Sequence, residues 1–162
     1  MQTEKLPVLR PIAPEDAEQL RKLYKFSLEK NADGFVTCPN FHGDIYERAA
    51  GYQQQNGAMF GLFEDDTLIG FGGLKQKDGA RVELCNLHLH PHYQGRGYGK
   101  LIAYMLIDEA RDLDYSILEL HVTVTQKNAI GLYKRIGFRE TDRKVYDVEG
   151  KKFDTLFMEL AL

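Results

Sequence analysis

The stretch that most constrains chemistry runs His88-Leu89-His90-Pro91-His92-Tyr93-Gln94-Gly95-Arg96-Gly97-Tyr98-Gly99-Lys100. An apolar run stops at Pro91, three glycines follow at alternate positions, and an amphipathic segment begins at once. Glycine opens backbone conformations closed to other residues and lets another molecule approach the main chain. The N–H groups of such a turn can converge on an anion at the start of a helix. Each charge–dipole contact is worth only about 0.3–1 kcal/mol when exposed, so several must act together. Arg96 and Lys100 can add full positive charges. These residue types alone point to a phosphate or pyrophosphate. A P-loop would need Ser or Thr after its Gly-Lys to reach magnesium, and Leu101 stands there. A dinucleotide fingerprint needs GxGxxG, and the spacing here is GxGxG. A glycine-rich turn that holds nothing is the plain alternative.

The elements that must position this loop can be read from periodicity and breakers. Leu6 to Arg10 reads as a strand, and Pro14-Glu15-Asp16 opens a helix that runs to about Lys30. Asn31 to Asp44 holds Gly34, Pro39 and Gly43 and reads as irregular, and Ile45 to Gln55 reads as a second helix. Ala58–Phe63 and Leu68–Lys75 form a hairpin pattern, and Ala80 to His90 is a third run closed by Pro91. Gly97 to Asp112 is helical, with Leu101, Met105, Ile102 and Leu106 at i, i+4 spacing. Ile117 to Val124 is β-branched and apolar, as a buried strand would be. Ala129 to Ile136 is a short helix ended by Gly137, and Phe138–Val148 with Lys152–Leu160 forms a last hairpin around Glu149-Gly150. The order β-α-α-β-β-β-α-β-α-β-β predicts an α/β chain with a mixed sheet and helices on both faces.

With 162 residues, 43% of them hydrophobic and 28% charged, the chain fits one ordinary domain spanning 1–162. There is no run of roughly 20 apolar residues to span a membrane, and no basic-then-apolar leader after Met1. A cytoplasmic location is the default expectation. The net charge of −3 and the scattered basic residues give no nucleic-acid surface. Cys38 and Cys85 are far apart and form no CxxC, so reduced thiols are expected.

Gln94-Gly95-Arg96-Gly97-Tyr98-Gly99 resembles the Q/R-x-x-G-x-G/A signature of the GNAT (Gcn5-related N-acetyltransferase) superfamily. Ala129 to Phe138, Ala-Ile-Gly-Leu-Tyr-Lys-Arg-Ile-Gly-Phe, is similar to the family's A-x-x-L-Y-x-x-x-G-F segment. The two motifs come in the family's order with a strand between them, and the element order matches along nearly the whole chain. The resemblance implies a splayed sheet with acetyl-CoA between the Ala80–His90 and Ile117–Val124 strands. Its pyrophosphate would lie on Gln94, Gly95, Arg96, Gly97, Tyr98, Gly99 and Lys100. The backbone of Leu87, His88 and Leu89 would pair with the pantetheine arm as an added strand does. Where the family often has Asn, three residues before Ala129, this chain has Gln126, with Asn128 two residues on. Both are assigned to the donor.

The implied reaction is direct attack of a primary amine on the thioester. An alkyl amine has a pKa near about 10.4, so deprotonation at neutral pH costs about 4–5 kcal/mol. A base or water relay is worth about 10²–10⁴ in rate. Family members that use a strand glutamate place it where Glu83 stands, eleven residues before Gln94. Tyr133 matches the family tyrosine near the thioester sulfur and would protonate the leaving thiolate. His88 ranks behind Glu83 as a base, and His121 reads as structural. His88, His90 and His92 alternate, but Pro91 interrupts them and no carboxylate sits at ligand spacing, so no metal is expected. Phe35, Phe41, His42 and Tyr46 are assigned to the acceptor pocket. The acceptor would be a small-molecule or protein amine, with no nucleic acid or membrane partner. A homodimer would suit the family. A regulatory module that senses acetyl-CoA or CoA without turnover is the alternative.

Overall fold

In a computed structural model of the chain, the structure describes residues 6–30 and 43–162. The strands are β1 (Val8–Pro11), β2 (Ala58–Glu64), β3 (Thr67–Gln76), β4 (Arg81–Leu89), β5 (Ile117–Thr123), β6 (Arg139–Val148) and β7 (Lys151–Ala161). The helices are α1 (Ala17–Lys30), α2 (Ile45–Gln54), α3 (Tyr98–Asp112) and α4 (Lys127–Ile136). Their order is the predicted one. The seven strands form one sheet in the order β1-β2-β3-β4-β5-β7-β6, and every neighbouring pair except β4–β5 is antiparallel. Among the described residues no helix is long and apolar enough to cross a membrane.

Boundary differences have local causes. Pro14–Asp16 is a single 3-10 turn, and the α-helix proper begins at Ala17. Gly97 stands outside α3 as its left-handed cap, φ 83°. The last helix starts at Lys127, earlier than the alanine at which the motif begins, because Gln126 already occupies the N-cap.

Alternation along the strands divides the core in two. Ala58, Phe60 and Leu62 of β2 pack with Ile102, Leu106, Ile107 and Ala110 of α3. Met59 and Phe63 point the other way, onto Leu20, Leu23, Tyr24 and Leu28 of α1 and Ile45 and Ala49 of α2. The period of two thus places α1 and α2 on one face and α3 on the other. In α3 the inward stripe is Ile102, Ala103, Leu106, Ile107 and Ala110, whereas Leu101, expected on the apolar face, is 42% exposed. The helix comes close to the strand at Gly72, where a Cβ would lie 2.8 Å from Leu106 Cδ1 and 3.1 Å from Ile102 Cγ2. Gly72→Val should therefore wedge α3 off β3 and cost about 1–3 kcal/mol, read as a lower urea midpoint at unchanged slope.

Candidate active site

β4 and β5 run parallel but share only three register pairs, Arg81↔Ile117, Val82↔Leu118 and Glu83↔Glu119. Beyond Glu83 they part, which leaves the β5-facing edge of Leu84–Leu89 without a strand partner among the described residues. A bulge helps to turn β4 aside. Phe71 pairs with His88 and Gly73 with Cys85, so Asn86 and Leu87 both stand opposite Gly72. Asn86 takes φ 56°, a left-handed conformation that asparagine tolerates better than most residues. Its side chain is held on both sides: Arg48 Nη2 donates to Oδ1 at 2.9 Å, and Nδ2 donates to Tyr52 Oη at 3.2 Å.

The fork opens into a cleft of about 1010 Å³. From β4 it is lined by Leu87, His88 and Leu89, and from the loop by Gln94, Gly95, Gly97, Tyr98, Gly99 and Lys100. Gln126, Asn128 and Tyr133 close the opposite side. Two motifs about thirty residues apart thus face each other across one opening. Gly95 has φ 80° and Gly97 φ 83°, backbone that a side chain would strain, and nothing lies within 4 Å of where either Cβ would be. Leu101 N–H donates to Gly97 O within the first turn of α3, so the amides of Tyr98, Gly99 and Lys100 are left at the open helix end. Gln94 is partly used inside the protein, since its Nε2 donates to Leu89 O at 3.2 Å and ties the loop to the end of β4.

The charges differ from the expected set. Lys100 lines the cleft, but Arg96 does not. Its guanidinium lies 5.3 Å over the Tyr93 ring and borders a separate hollow of about 530 Å³ beside Glu64. Lys30, Lys127 and Arg135 also line the cleft. Sequence reasoning missed them because lysine and arginine on helices usually serve solvation, and only the fold turns these three toward one opening.

Tyr133 is 6% exposed and meets Phe138 edge-on at 5.6 Å between ring centres. Burial pushes its phenol pKa above the ordinary value, so the hydroxyl stays protonated. Glu83 is 7% exposed and lies at the crotch of the fork rather than along the cleft wall. Its Oε2 is 3.5 Å from Lys77 Nζ and its Oε1 is 3.4 Å from His121 Nδ1. His121 stands two residues beyond Glu119, Glu83's partner on β5. The structure therefore joins to Glu83 a histidine that the sequence reading set aside as structural.

His88 lies between Tyr24 and Phe71, with ring centres at 5.5 and 5.0 Å. Burial, and secondly the charge of Arg48, lower its pKa to about 3. A lowered pKa makes the imidazole a weaker proton acceptor, which counts against it as the reserve base. His90 stacks on Phe26 and His92 at 5.0 and 5.2 Å, and among the described residues no group of three His, Cys, Asp or Glu could hold a metal. Burial pushes the Cys85 thiol up to about 12, so it carries no thiolate. Tyr46 is not among the cleft-lining residues. Its ring lies 5.6 Å from the Arg21 guanidinium and packs on the α1–α2 core, because Arg21 is drawn there by Asp44 at 2.8 Å. Phe35, Cys38, Phe41 and His42 lie outside the described residues.

The sequence model of the acetyltransferase (GNAT) family matches residues 17–138. The N-acetyltransferase YjgM of Escherichia coli K12 is 25% identical over 144 residues, which are 84% of each chain. The L-amino acid N-acyltransferase MnaT of the same organism is 29% identical over 120 residues, 70% of this chain and 66% of that protein. Among solved structures, yncA of Salmonella typhimurium, an acetyltransferase described with its cofactor acetyl-CoA, superposes with a TM-score of 0.81 at 22% identity. That match covers 97% of this chain and 94% of the other. With the forked sheet, the glycine loop at its mouth and a family match over most of the length, this chain belongs to the GNAT family of acetyltransferases.

Proposed function

We propose that the chain transfers an acetyl group from acetyl-CoA to a primary amine by direct attack on the thioester, and that it does so as a single cytoplasmic domain. The observation that carries this reading is the fork, a strand edge left open from Leu84 to Leu89 with a glycine loop and an open helix end at its mouth. An extended pantetheine arm can add to that edge as a strand would. The amides of residues 95–100, with Lys100 and the neighbouring Lys30, Lys127 and Arg135, suit a diphosphate and its nucleotide. Acetyl-CoA bound there supplies the activated acyl group.

The residues of the chain then divide the proton work. The Tyr133 phenol faces the departing sulfur as a hydrogen-bond donor; burial raises its pKa, so full proton transfer depends on the thiolate's negative charge developing beside it. Glu83 receives the amine proton through His121 or water, since its own carboxylate sits below the cleft wall, 3.4 Å from His121. Gln126 and Asn128 contact the donor from the start of α4.

An amine panel tests the reading by the free thiol released from acetyl-CoA. A chain that only senses the coenzyme would bind it and release none. Glu83→Gln should lower the rate most at low pH, where free amine is scarce, by about 10- to 100-fold. An unchanged pH–rate profile would take Glu83 out of the mechanism.

A further inference from the structure

The strongly ionised arginines Arg10, Arg21, Arg81 and Arg143 each hold a carboxylate, at 2.7, 2.8, 2.6 and 2.6 Å. Arg48 does not. It projects from α2 into a part-buried site, where Nη1 donates to Tyr24 Oη at 3.2 Å and Nη2 to Tyr52 Oη at 3.5 Å and Asn86 Oδ1 at 2.9 Å. All three partners are uncharged. Burial pushes the Tyr52 phenol up to about 12, so it is no hidden anion. Among the described residues no carboxylate pairs with Arg48. A guanidinium taken from water without an anion is costly to the fold, and its planar N–H fork is shaped for a carboxylate.

A second group nearby is also unmatched. Ser27 is 8% exposed and lines the cleft, yet its Oγ has no hydrogen-bond partner among the described residues. It lies one helical turn from Tyr24 on the buried face of α1. Tyr24 in turn touches both Arg48 and His88, and His88 lines the same cleft. A buried hydroxyl left unpaired costs about 1–3 kcal/mol, which a hydrogen-bonding ligand would remove. Arg48 is not itself among the residues that line the cleft; Tyr24 stands between it and the cleft-lining Ser27 and His88, on the α1–α2 face of β4.

We propose that Arg48, with Ser27 beside it, recognises a carboxylate on the acceptor, which makes the acceptor an amino acid or a similar amine that bears an acid group. This rests on the acyl-transfer reading above. A polyamine would bring a second cation toward Arg48, whereas a single carboxylate would supply the anion that Arg48 lacks.

The test compares an amino acid with its primary amide as acceptors, with rates referred to the concentration of free amine for each. The expected result is a kcat/KM about tenfold or more higher for the carboxylate, the size of one charge-assisted hydrogen-bonded pair. Arg48→Met should abolish that preference by lowering activity on the carboxylate about tenfold more than on the amide, beyond any loss common to both from the released Asn86. Arg48→Lys should restore part of it, and Ser27→Ala should raise KM for the carboxylate acceptor. If Arg48 only braces the Asn86 bulge, Arg48→Met would depress both acceptors equally, which overturns the proposal. A wild-type preference for the amide or for a polyamine also overturns it. Calorimetry of the amino acid against the CoA-saturated wild-type protein needs neither turnover nor a variant. Heat of binding that weakens when the amide replaces the acid supports the site, and equal or absent heats sink it. Acetyl-CoA that binds but yields no thiol with any amine would overturn the catalytic reading separately, while the calorimetric arm still decides this one.

Discussion

Tyr133→Phe should lower kcat by about 10²–10⁴ and leave the affinity for acetyl-CoA nearly unchanged. The ring is buried and packs edge-on against Phe138, and phenylalanine keeps that packing. Only the hydroxyl is lost, and it has no hydrogen-bond partner among the described residues to leave stranded. Its raised pKa keeps the proton on the oxygen at neutral pH, so in the proposed reaction the group would serve as a donor to the departing sulfur rather than as a base. In the proposed reading, donor affinity would be spread over the glycine-loop amides and several cations, which this change does not touch. Thiol-release kinetics together with calorimetry on the donor separate the two quantities. Equal loss in both would make Tyr133 a binding residue, and full activity would remove it as the acid.

Acidification should destabilise the fold well above the carboxylate range, and His88 should be the main cause. In the unfolded chain its pKa is near about 6.5, while burial beside Arg48 lowers it to about 3 in the folded protein. Between these values the unfolded state takes up a proton that the folded state refuses. Stability therefore falls as pH falls through this window, by up to about 1.4 kcal/mol per pH unit. Two units of acidification below about pH 6.5 thus remove as much as about 2–3 kcal/mol. His90, lowered less deeply, acts in the same direction. Asp16, Asp44 and Asp154 are held below the ordinary carboxylate value by arginine partners, so their contributions persist until the pH drops below their unfolded value of 3.8. Urea denaturation of wild type and His88→Gln across this range separates the terms. The variant should lose most of the slope between about pH 6.5 and 4.5. Parallel curves would mean that His88 is not held neutral.

The glycine loop and the tyrosine segment were legible because their chemistry is local. Alternate glycines before an amphipathic helix need φ values that few other residues take, and Gly95 and Gly97 adopt them. The two halves of the core were legible from strand alternation, as Ala58–Phe63 shows. Glu83 is a different case. Its position was readable, but not its partner His121, because a pair across β4 and β5 depends on the register of a parallel junction only three residues long. Arg96 and Lys100 looked equivalent in the loop. The ring of Tyr93 draws one away, and the first turn of α3 carries the other into the cleft.

What the linear order of residues determined by itself was the element sequence, the family and the glycine loop before α3, since each rests on short-range backbone preference or periodicity. The tertiary structure decided where β4 leaves β5, which cations meet in the cleft, that burial lowers the pKa of His88, and that Arg48 is half-buried with no carboxylate partner among the described residues. Those properties are set by desolvation and by contacts between segments far apart in the chain, and desolvation has no meaning until the chain has closed around a group.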